Sequence, residues 1–483
     1  MRFQPILSAL GILLMLTGGA MVPCAIVDFF TNAESWGVFG LTGFLLLGIG
    51  GVMAIAAGRS EQQTGTREAF LLTTLVWFVL PLAAATPFLA LGFTFTDAFF
   101  ESVSGLTTTG ATIMTGLDTE QKGLLLWRSI LQWIGGVGII VTAIAILPML
   151  RVGGMQLFHA ESSDVSDKML PRVTEIAKQI TWLYLALTIV CAICYMIAGM
   201  DLFDAINHSM TTMAAGGYST SDQSMGKFAD TRVIEVAIIF MFVAGLPFTT
   251  MVMMFHGNYS SLLRDPQPRF FLGVVIIAVV ILYLCVRYHP QTYFIRHDEH
   301  LLRDTMFSVI SVITGTGYAS TDYGQWGSLP ELVFFTLMFV GGCAGSAACG
   351  MNIFRVEIIL RTMWTYTRQM LSPNRVLMVR YGGRPVRDDV LQSIMTFTFL
   401  YLLTFSVAAA LLSLTGLDAI SALSAAATSI SNVGPGLGDI FGPSGTFQSI
   451  PTFAKWVCSI SMVFGRLELL TLFVVLTPSF WRT

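Results

Sequence analysis

The 483-residue sequence predicts an all-α polytopic membrane protein, with two N-terminal spans followed by four repeats of span, short helix, polar loop and span. Three observations carry this. The chain is 54% hydrophobic and 11% charged, whereas soluble domains are about one-quarter charged. Apolar runs of about 20 residues, enough to cross the hydrocarbon as helices, recur throughout. Four glycines, Gly110, Gly217, Gly317 and Gly434, return at intervals of roughly 100 to 120 residues, the mark of one structural unit used repeatedly.

Taken in order, ten spans are expected near 5–29, 38–57, 69–91, 124–150, 181–200, 231–256, 270–288, 331–362, 391–415 and 453–478. The first follows Arg2 but is longer than a signal-peptide core. Its Met21-Val22-Pro23-Cys24 stretch is a poor processing site because of the proline, so it reads as a retained helix. With the N-terminus inside, 16 of the 26 basic residues fall in inner loops. They are Arg2, Arg59, Arg67, Arg151, Lys168, Arg172, Lys178, Arg264, Arg269, Arg361, Arg368, Arg375, Arg380, Arg384, Arg387 and Arg482. Both termini are therefore expected in the cytoplasm. Acids lean outward, 18 of 29, which would concentrate cations at the outer mouth.

Each repeat has the same plan. An aspartate lies 13 residues before the first three glycines (Asp97, Asp204, Asp304) and 16 before the fourth (Asp418), and it is expected to cap a short helix. About eleven residues make roughly 16 Å, half the bilayer core, so this helix enters from outside and stops inside. Its negative C-terminal end would favour a cation. The polar loop that follows needs glycine where the backbone must turn successive carbonyls toward one axis. Carbonyl rings can replace the hydration shell of potassium. The expected ion ligands are backbone oxygens of Thr108, Thr109 and Gly110; Ala215, Gly216 and Gly217; Gly315, Thr316 and Gly317; and Asn432, Val433 and Gly434.

Other residues carry open alternatives. Arg466, in the last span, is either an electrostatic barrier on the ion path or a partner in an ion pair with Glu468 or a neighbouring carboxylate. Glu101 either attracts ions at the outer vestibule or pairs beside the short helix. His208 reads as a packed, hydrogen-bonded residue. The seven cysteines fall mainly in apolar segments, and Cys191-x-x-Cys194 has no second pair, so they read as packing residues. The basic run from 361 to 387 is a positive-inside anchor, or a docking surface for a regulatory subunit or anionic lipid. No paired carboxylates, metal cluster or Ser-His arrangement share a membrane depth, which argues against an enzyme.

Phe99-Phe100-Glu101-Ser102-Val103-Ser104-Gly105-Leu106-Thr107-Thr108-Thr109-Gly110-Ala111-Thr112 resembles the first pore loop of the Trk/Ktr/HKT potassium transporter superfamily. Asn432-Val433-Gly434-Pro435-Gly436-Leu437-Gly438 resembles the fourth. Gln132-Trp133-Ile134-Gly135-Gly136-Val137-Gly138, with the ending Phe464-Gly465-Arg466-Leu467-Glu468 through Trp481-Arg482, is similar to the bacterial TrkH-type membrane subunits. The resemblance spans essentially the whole chain. It implies a pseudo-fourfold arrangement: an N-terminal extension over 1–65, then pore repeats over 66–155, 179–260, 269–365 and 390–483. It also implies a homodimer in the bacterial inner membrane and a cytosolic, nucleotide-binding regulatory subunit of TrkA type. No nucleotide site or nucleic-acid partner is expected in this chain. Serine at the first filter position goes with sodium transport in the family, so Gly110 favours potassium.

The family also implies an intramembrane gate over 341–352, with Gly345, Ser346 and Asn352 as gate residues and Arg466 as barrier. Here Asn352 stands where a lysine is expected. Small residues cannot hold a regular helix in that stretch, so the span should break there, and Pro247 should kink the second repeat's closing helix. Potassium uptake is the function implied. A proton- or sodium-coupled secondary transporter is the alternative, thinly supported because Glu357 and Glu468 are the carboxylates away from the outer ends of the spans.

Overall fold

The computed structural model describes residues 3–58, 65–145, 169–229, 231–288, 300–375, 377–443, 445–467 and 469–482. Arg2, Arg59, Arg151, Lys168 and Glu468, and the inner end of the span expected at 124–150, lie outside the described residues.

The chain is a helical multi-pass membrane protein. Its N-terminal apolar span, Gln4–Phe30, packs antiparallel on Trp36–Ala57. A Cβ added at Gly11, Gly18, Gly43 or Gly50 would come within 3.0 Å of the facing helix's backbone. Glycine lets these helices approach closely where lipid offers no hydrophobic drive to associate. The hairpin is tied to the rest by Asp28. This buried carboxylate accepts hydrogen bonds from the Ser35 hydroxyl and from the Gly123 amide, at the start of helix Lys122–Ala145. A carboxylate there offsets the positive helix end.

The remaining described helices are taken in chain order as four groups, called units. The first runs Thr66–Ala84, Thr86–Ala90, the short helix Phe95–Leu106 and Lys122–Ala145. In the second, Met169–Ala198 leads to the short helix Leu202–Met213 and then to Val233–Ala244 and Phe248–Phe255. The third comprises Pro266–Tyr288, Leu301–Ile313, Ser328–Met338 and Ile353–Leu371. The fourth has Asp388–Ser413, Ala419–Ser431, Thr452–Arg466 and Leu469–Leu476. The helices Phe95–Leu106, Leu202–Met213, Leu301–Ile313 and Ala419–Ser431 have 12 or 13 residues. At about 18–20 Å they are too short to cross about 30 Å of hydrocarbon. They are nonetheless largely buried; every residue from Ala98 to Leu106 is buried.

Ten spans are expected, with a break over 341–352 and a kink at Pro247. Among the described residues, seven segments are long and apolar enough to cross alone, and a bent pair would make an eighth. That pair, Val233–Ala244 and Phe248–Phe255, turns by 96° at Gly245-Leu246-Pro247. The span expected at 331–362 leaves helical geometry after Met338 and regains it at Ile353. Gly345 and Gly350 take φ of 72° and 76° in that break, where a regular helix cannot continue. The span expected at 453–478 ends its first helix at Arg466 and resumes at Leu469. Its first half buries Lys455, Ser459, Ser461 and Arg466, so it faces protein rather than lipid. The strands found among the described residues are a small hairpin, Arg380–Tyr381 paired with Arg384–Pro385 around Gly382 and Gly383.

Candidate functional site

The first three short helices begin one turn earlier than expected, while Asp418 caps the fourth as expected. Thr94, Asp201 and Asp418 occupy the cap position, accepting from the amides of Asp97, Asp204 and Ser421. The third helix begins after His300. Asp97, Asp204 and Asp304 are therefore not caps but first-turn residues, where a negative charge still suits the helix end. Asp97 is held by Lys455 at 2.7 Å, and Asp204 accepts from Thr220 at 2.6 Å. This also explains why Asp418 lies 16 residues before its glycine: Thr94 and Asp201 lie 16 before theirs. The Ser421 hydroxyl and amide hold the Asp418 carboxyl below the usual carboxylate range.

After each helix the loop takes the same alternating backbone. Two residues before the glycine, Thr108, Ala215, Gly315 and Asn432 have φ of 53°, 51°, 71° and 52°. The glycines Gly110, Gly217, Gly317 and Gly434 have φ of 83°, 75°, 74° and 99°. Left-handed residues at alternate positions turn successive peptide carbonyls to one side. The cost for a residue with a Cβ is about 1–2 kcal/mol, and it is borne at Thr108 and Ala215; Asn432 tolerates the region better.

The loops meet in cyclic order. A Cβ on Gly110 would strike the Gly216 carbonyl oxygen; on Gly217, that of Thr316; on Gly317, that of Val433; on Gly434, that of Thr109. Each separation would be under 3.0 Å. Thus one residue from each loop, Thr109, Gly216, Thr316 and Val433, presents its carbonyl against the glycine of the loop before it. The amides of Thr109, Gly216 and Val433 donate back to Ser104, Thr211 and Thr428, so these peptides are oriented by their own helices.

Side chains fix the loops further. Thr107 and Thr109 hydroxyls meet at 2.7 Å, and Thr314 and Thr316 repeat the contact at 2.8 Å. Ser104 donates to the Ala111 carbonyl and Ser311 to the Tyr318 carbonyl, at 2.6 and 2.7 Å. The Gln132 amide clamps the second loop, donating to Gly216 O at 2.6 Å and accepting from Tyr218 N at 3.0 Å. Asn432 Nδ2 donates to Thr109 Oγ1 at 2.8 Å, joining the fourth loop to the first.

At the C-terminal ends of the short helices sits the break in the third unit. Cys349 is buried there, with Sγ 3.4 Å from Thr108 Oγ1 and its amide donating to Thr314 O. Arg466 Nη1 lies 2.7 Å from the same sulfur, and Nη2 is 3.5 Å from Gly135 O. Arg466 is 4% exposed, and its Nε has no partner among the described residues. None of the ion pairs among those residues includes Arg466, and Glu468 lies outside them. Elements from the first, third and fourth units therefore converge on one thiol.

The other expected gate residues sit apart from this point. Gly345 accepts from the Phe248 amide, and Ser346 donates to Cys343 O within its own turn. Cys343 and Ala347 donate to the carbonyls of Gly245 and Ala244. The bend at Pro247 frees those carbonyls, and the broken third span supplies the amides that satisfy them. Asn352 occupies the cap position of Ile353–Leu371 without a side-chain cap bond.

Two open readings close. Glu101 is fully buried and bonded to Arg128 at 2.8 Å, so it is not a charge of the outer vestibule. His208 is packed as expected, with Nδ1 2.8 Å from Asp204 O and Nε2 3.0 Å from Ser219 Oγ. The cysteines are free, and Cys191 is buried while Cys194 is half-buried. Residue-level reading missed Cys349, Gln132, Tyr218 and Tyr318 as contributors. Tyr218 and Tyr318 follow the second and third glycines directly, and that repeat was the available signal.

Fold and site together define a class: a helical multi-pass membrane protein whose four polar loops close on one another in its interior, an architecture for transport. The chain belongs to the TrkH family of cation transport proteins, whose family model matches residues 37–482. It is 40% identical to the Trk system potassium uptake protein TrkI of Halomonas elongata, covering 100% of this chain and 97% of that one. It is 38% identical to the Trk system potassium uptake protein TrkH of Vibrio parahaemolyticus, covering 100% of both. The crystal structure of the potassium transporter TrkH from Vibrio parahaemolyticus superposes with a TM-score of 0.90 at 34% identity, covering 100% of both chains.

Proposed function

We propose that this chain carries potassium into a bacterial cell through the ring of its four loops, as a channel-like pore in the inner membrane with both termini cytoplasmic. The observation that carries the reading is the shared loop backbone: left-handed residues at the glycine and two before it, with each glycine facing the next loop's carbonyl. Such a ring offers dehydrated cations backbone oxygens in place of water. The four units would then stand around a pseudo-fourfold axis, over 66–155, 179–260, 269–365 and 390–483, behind the extension over 1–65. Thr109, Gly216, Thr316 and Val433 would supply the ring of oxygens, with the neighbouring carbonyls of Thr108, Gly110, Ala215, Gly217, Gly315, Gly317, Asn432 and Gly434 above and below it. The relatives' names as potassium uptake proteins support potassium as the cargo.

In the same reading 341–352 is the gate. Cys349 and Arg466 form its closing contact below the ring, and the Gly345–Ser346 turn couples it to the bend at Pro247. The relatives are named as parts of a Trk system, which supports a multi-component assembly: a homodimer with a cytosolic regulatory subunit of TrkA type. The exposed basic hairpin at Arg380, Arg384 and Arg387 and the projecting end of Ile353–Leu371 would be its docking surface, with anionic lipid as a competing ligand. Charge reversal at Arg380, Arg384 and Arg387 is expected to lower recovery of the regulatory subunit in a pull-down at least tenfold. Undiminished recovery would leave the hairpin a membrane anchor only.

Coupled transport gains little support here, because Glu357 is taken by Arg361 at 2.6 Å. The reading is tested by purified protein in liposomes under opposed potassium and sodium gradients. A reversal potential near the potassium value supports a selective pore. Flux that requires a proton or sodium gradient would replace it with a coupled carrier.

A further inference from the structure

One ion pair is buried behind the loops, and no step above uses it. Glu101 and Arg128 are 0% and 1% exposed, and Nε donates to Oε1 at 2.8 Å. Arg128 comes from helix Lys122–Ala145 and Glu101 from the middle of the first short helix. Their remaining bonds go to the outer limbs of two different loops. On the first, Glu101 accepts from Thr112 Oγ1 at 3.0 and 3.1 Å and from the Ile113 amide at 3.0 Å. Arg128 Nη2 donates to Thr112 Oγ1 at 3.0 Å. On the second, Arg128 Nη1 donates to Ser219 O at 3.1 Å, and its guanidinium lies over the Tyr218 ring at 4.0 Å. Tyr218 Oη donates to Glu101 O at 2.9 Å. The pair thus pins the residues just after Gly110 to those just after Gly217.

Among the described residues the ion pair belongs to this seam, while the tyrosine contact recurs at the next, where Tyr318 Oη donates to His208 O at 3.2 Å. Nine residues before each glycine stand Glu101, His208, Ser308 and Ala425. His208 makes a weaker, neutral version, bonding Ser219 Oγ, which stands two residues after Gly217 as Thr112 stands after Gly110. Ser308 Oγ has no partner among the described residues, and Ala425 has no polar atom to offer. Opposite charges at 2.8 Å cancel at the distance of the ion path, so the pair adds geometry rather than field. A guanidinium fork holding a carboxylate, a hydroxyl and a carbonyl is pre-organised, and its charge-assisted bond is about twice as strong as a neutral one.

We infer that Glu101 and Arg128 are specificity-determining positioning residues: they hold the first and second loops at the spacing that fits potassium and keep the ring from closing onto the smaller sodium ion. This rests on the reading of the four loops as the filter. Selectivity by ring size requires a ring that resists contraction, and this seam is where the structure braces it most.

The test is the bi-ionic reversal potential of the full-length protein in liposomes. Each single neutralisation would strand a buried charge, so the variant is the double Glu101→Gln, Arg128→Gln. A potassium-to-sodium permeability ratio at least tenfold below wild type, with monodisperse protein and potassium flux within severalfold, is expected. Tyr218→Phe removes one hydroxyl from the same clamp and carries the test independently of how the double variant folds. Its ratio should fall severalfold, and an unchanged ratio would overturn the inference. An unchanged ratio in the folded double variant would overturn it equally. A wild-type ratio near one would instead overturn the filter reading, and the clamp with it.

Discussion

Gly217→Ala is expected to reduce potassium flux by at least tenfold while the protein still inserts and purifies. The added methyl would overlap the Thr316 carbonyl oxygen and come near the carbonyl carbons of Thr316 and Gly317. Those atoms are backbone, so no side chain can swing aside; the third loop must move, and the ring moves with it. The residue would also hold φ of 75°, a conformation that costs an alanine about 1 kcal/mol or more. Gly273→Ala is the matched control. Gly273 lies within helix Pro266–Tyr288 with nothing within 4 Å of an added Cβ. That substitution should leave flux unchanged and, by removing chain entropy from the unfolded state, stabilise slightly. Liposome flux at matched incorporation checks both; normal flux in Gly217→Ala would mean that the glycines are turns rather than the ion path.

Arg466→Ala is expected to raise flux by tenfold or more. Two like unit charges at an effective dielectric of about 20 repel by about 3 kcal/mol at a separation of about 6 Å, so a buried guanidinium beside the path raises a cation's energy on that order. That is about a hundredfold in rate. The guanidinium has no carboxylate partner in the described ion pairs to cancel this field, and the Cys349 sulfur and Gly135 oxygen are its polar neighbours. Arg466→Lys keeps the charge and should keep flux low. Equal flux in wild type and Arg466→Ala at equal expression would remove the barrier role. Elevated flux in both substitutions would shift it to the lost contact with Cys349.

Much of the architecture was legible because it rests on local rules. Apolar run lengths reveal spans, and Gly110, Gly217, Gly317 and Gly434 stand out because a close backbone approach tolerates no other residue. Pro247 announced its bend for the same kind of reason. The cap assignment failed by one turn at the first three short helices, since Thr94 and Asp201 are as good as the aspartates three residues on. The break over 341–352 was legible from its small residues, but the one after Arg466 within 453–478 was not. Hydropathy reads apolar content, and a buried polar face interrupts a span without lowering that content enough to show.

The contacts that were not legible are distant in sequence. Cys349 meets Thr108 and Arg466 across three units, and Gln132 clamps a loop 84 residues away. Arg128 pairs with Glu101 only once helix Lys122–Ala145 folds back against the first short helix. No periodicity encodes such pairs; they exist only once the four units face one another.

The central claim is that the ring of carbonyls from Thr109, Gly216, Thr316 and Val433 binds the transported ion. Crystals grown with rubidium, a potassium substitute with a distinct anomalous signal, test it directly. An anomalous peak enclosed by those four oxygens, and displaced by excess potassium but not by sodium, is the predicted result. Rubidium bound elsewhere in the protein, with the ring empty at saturating concentration, would contradict it.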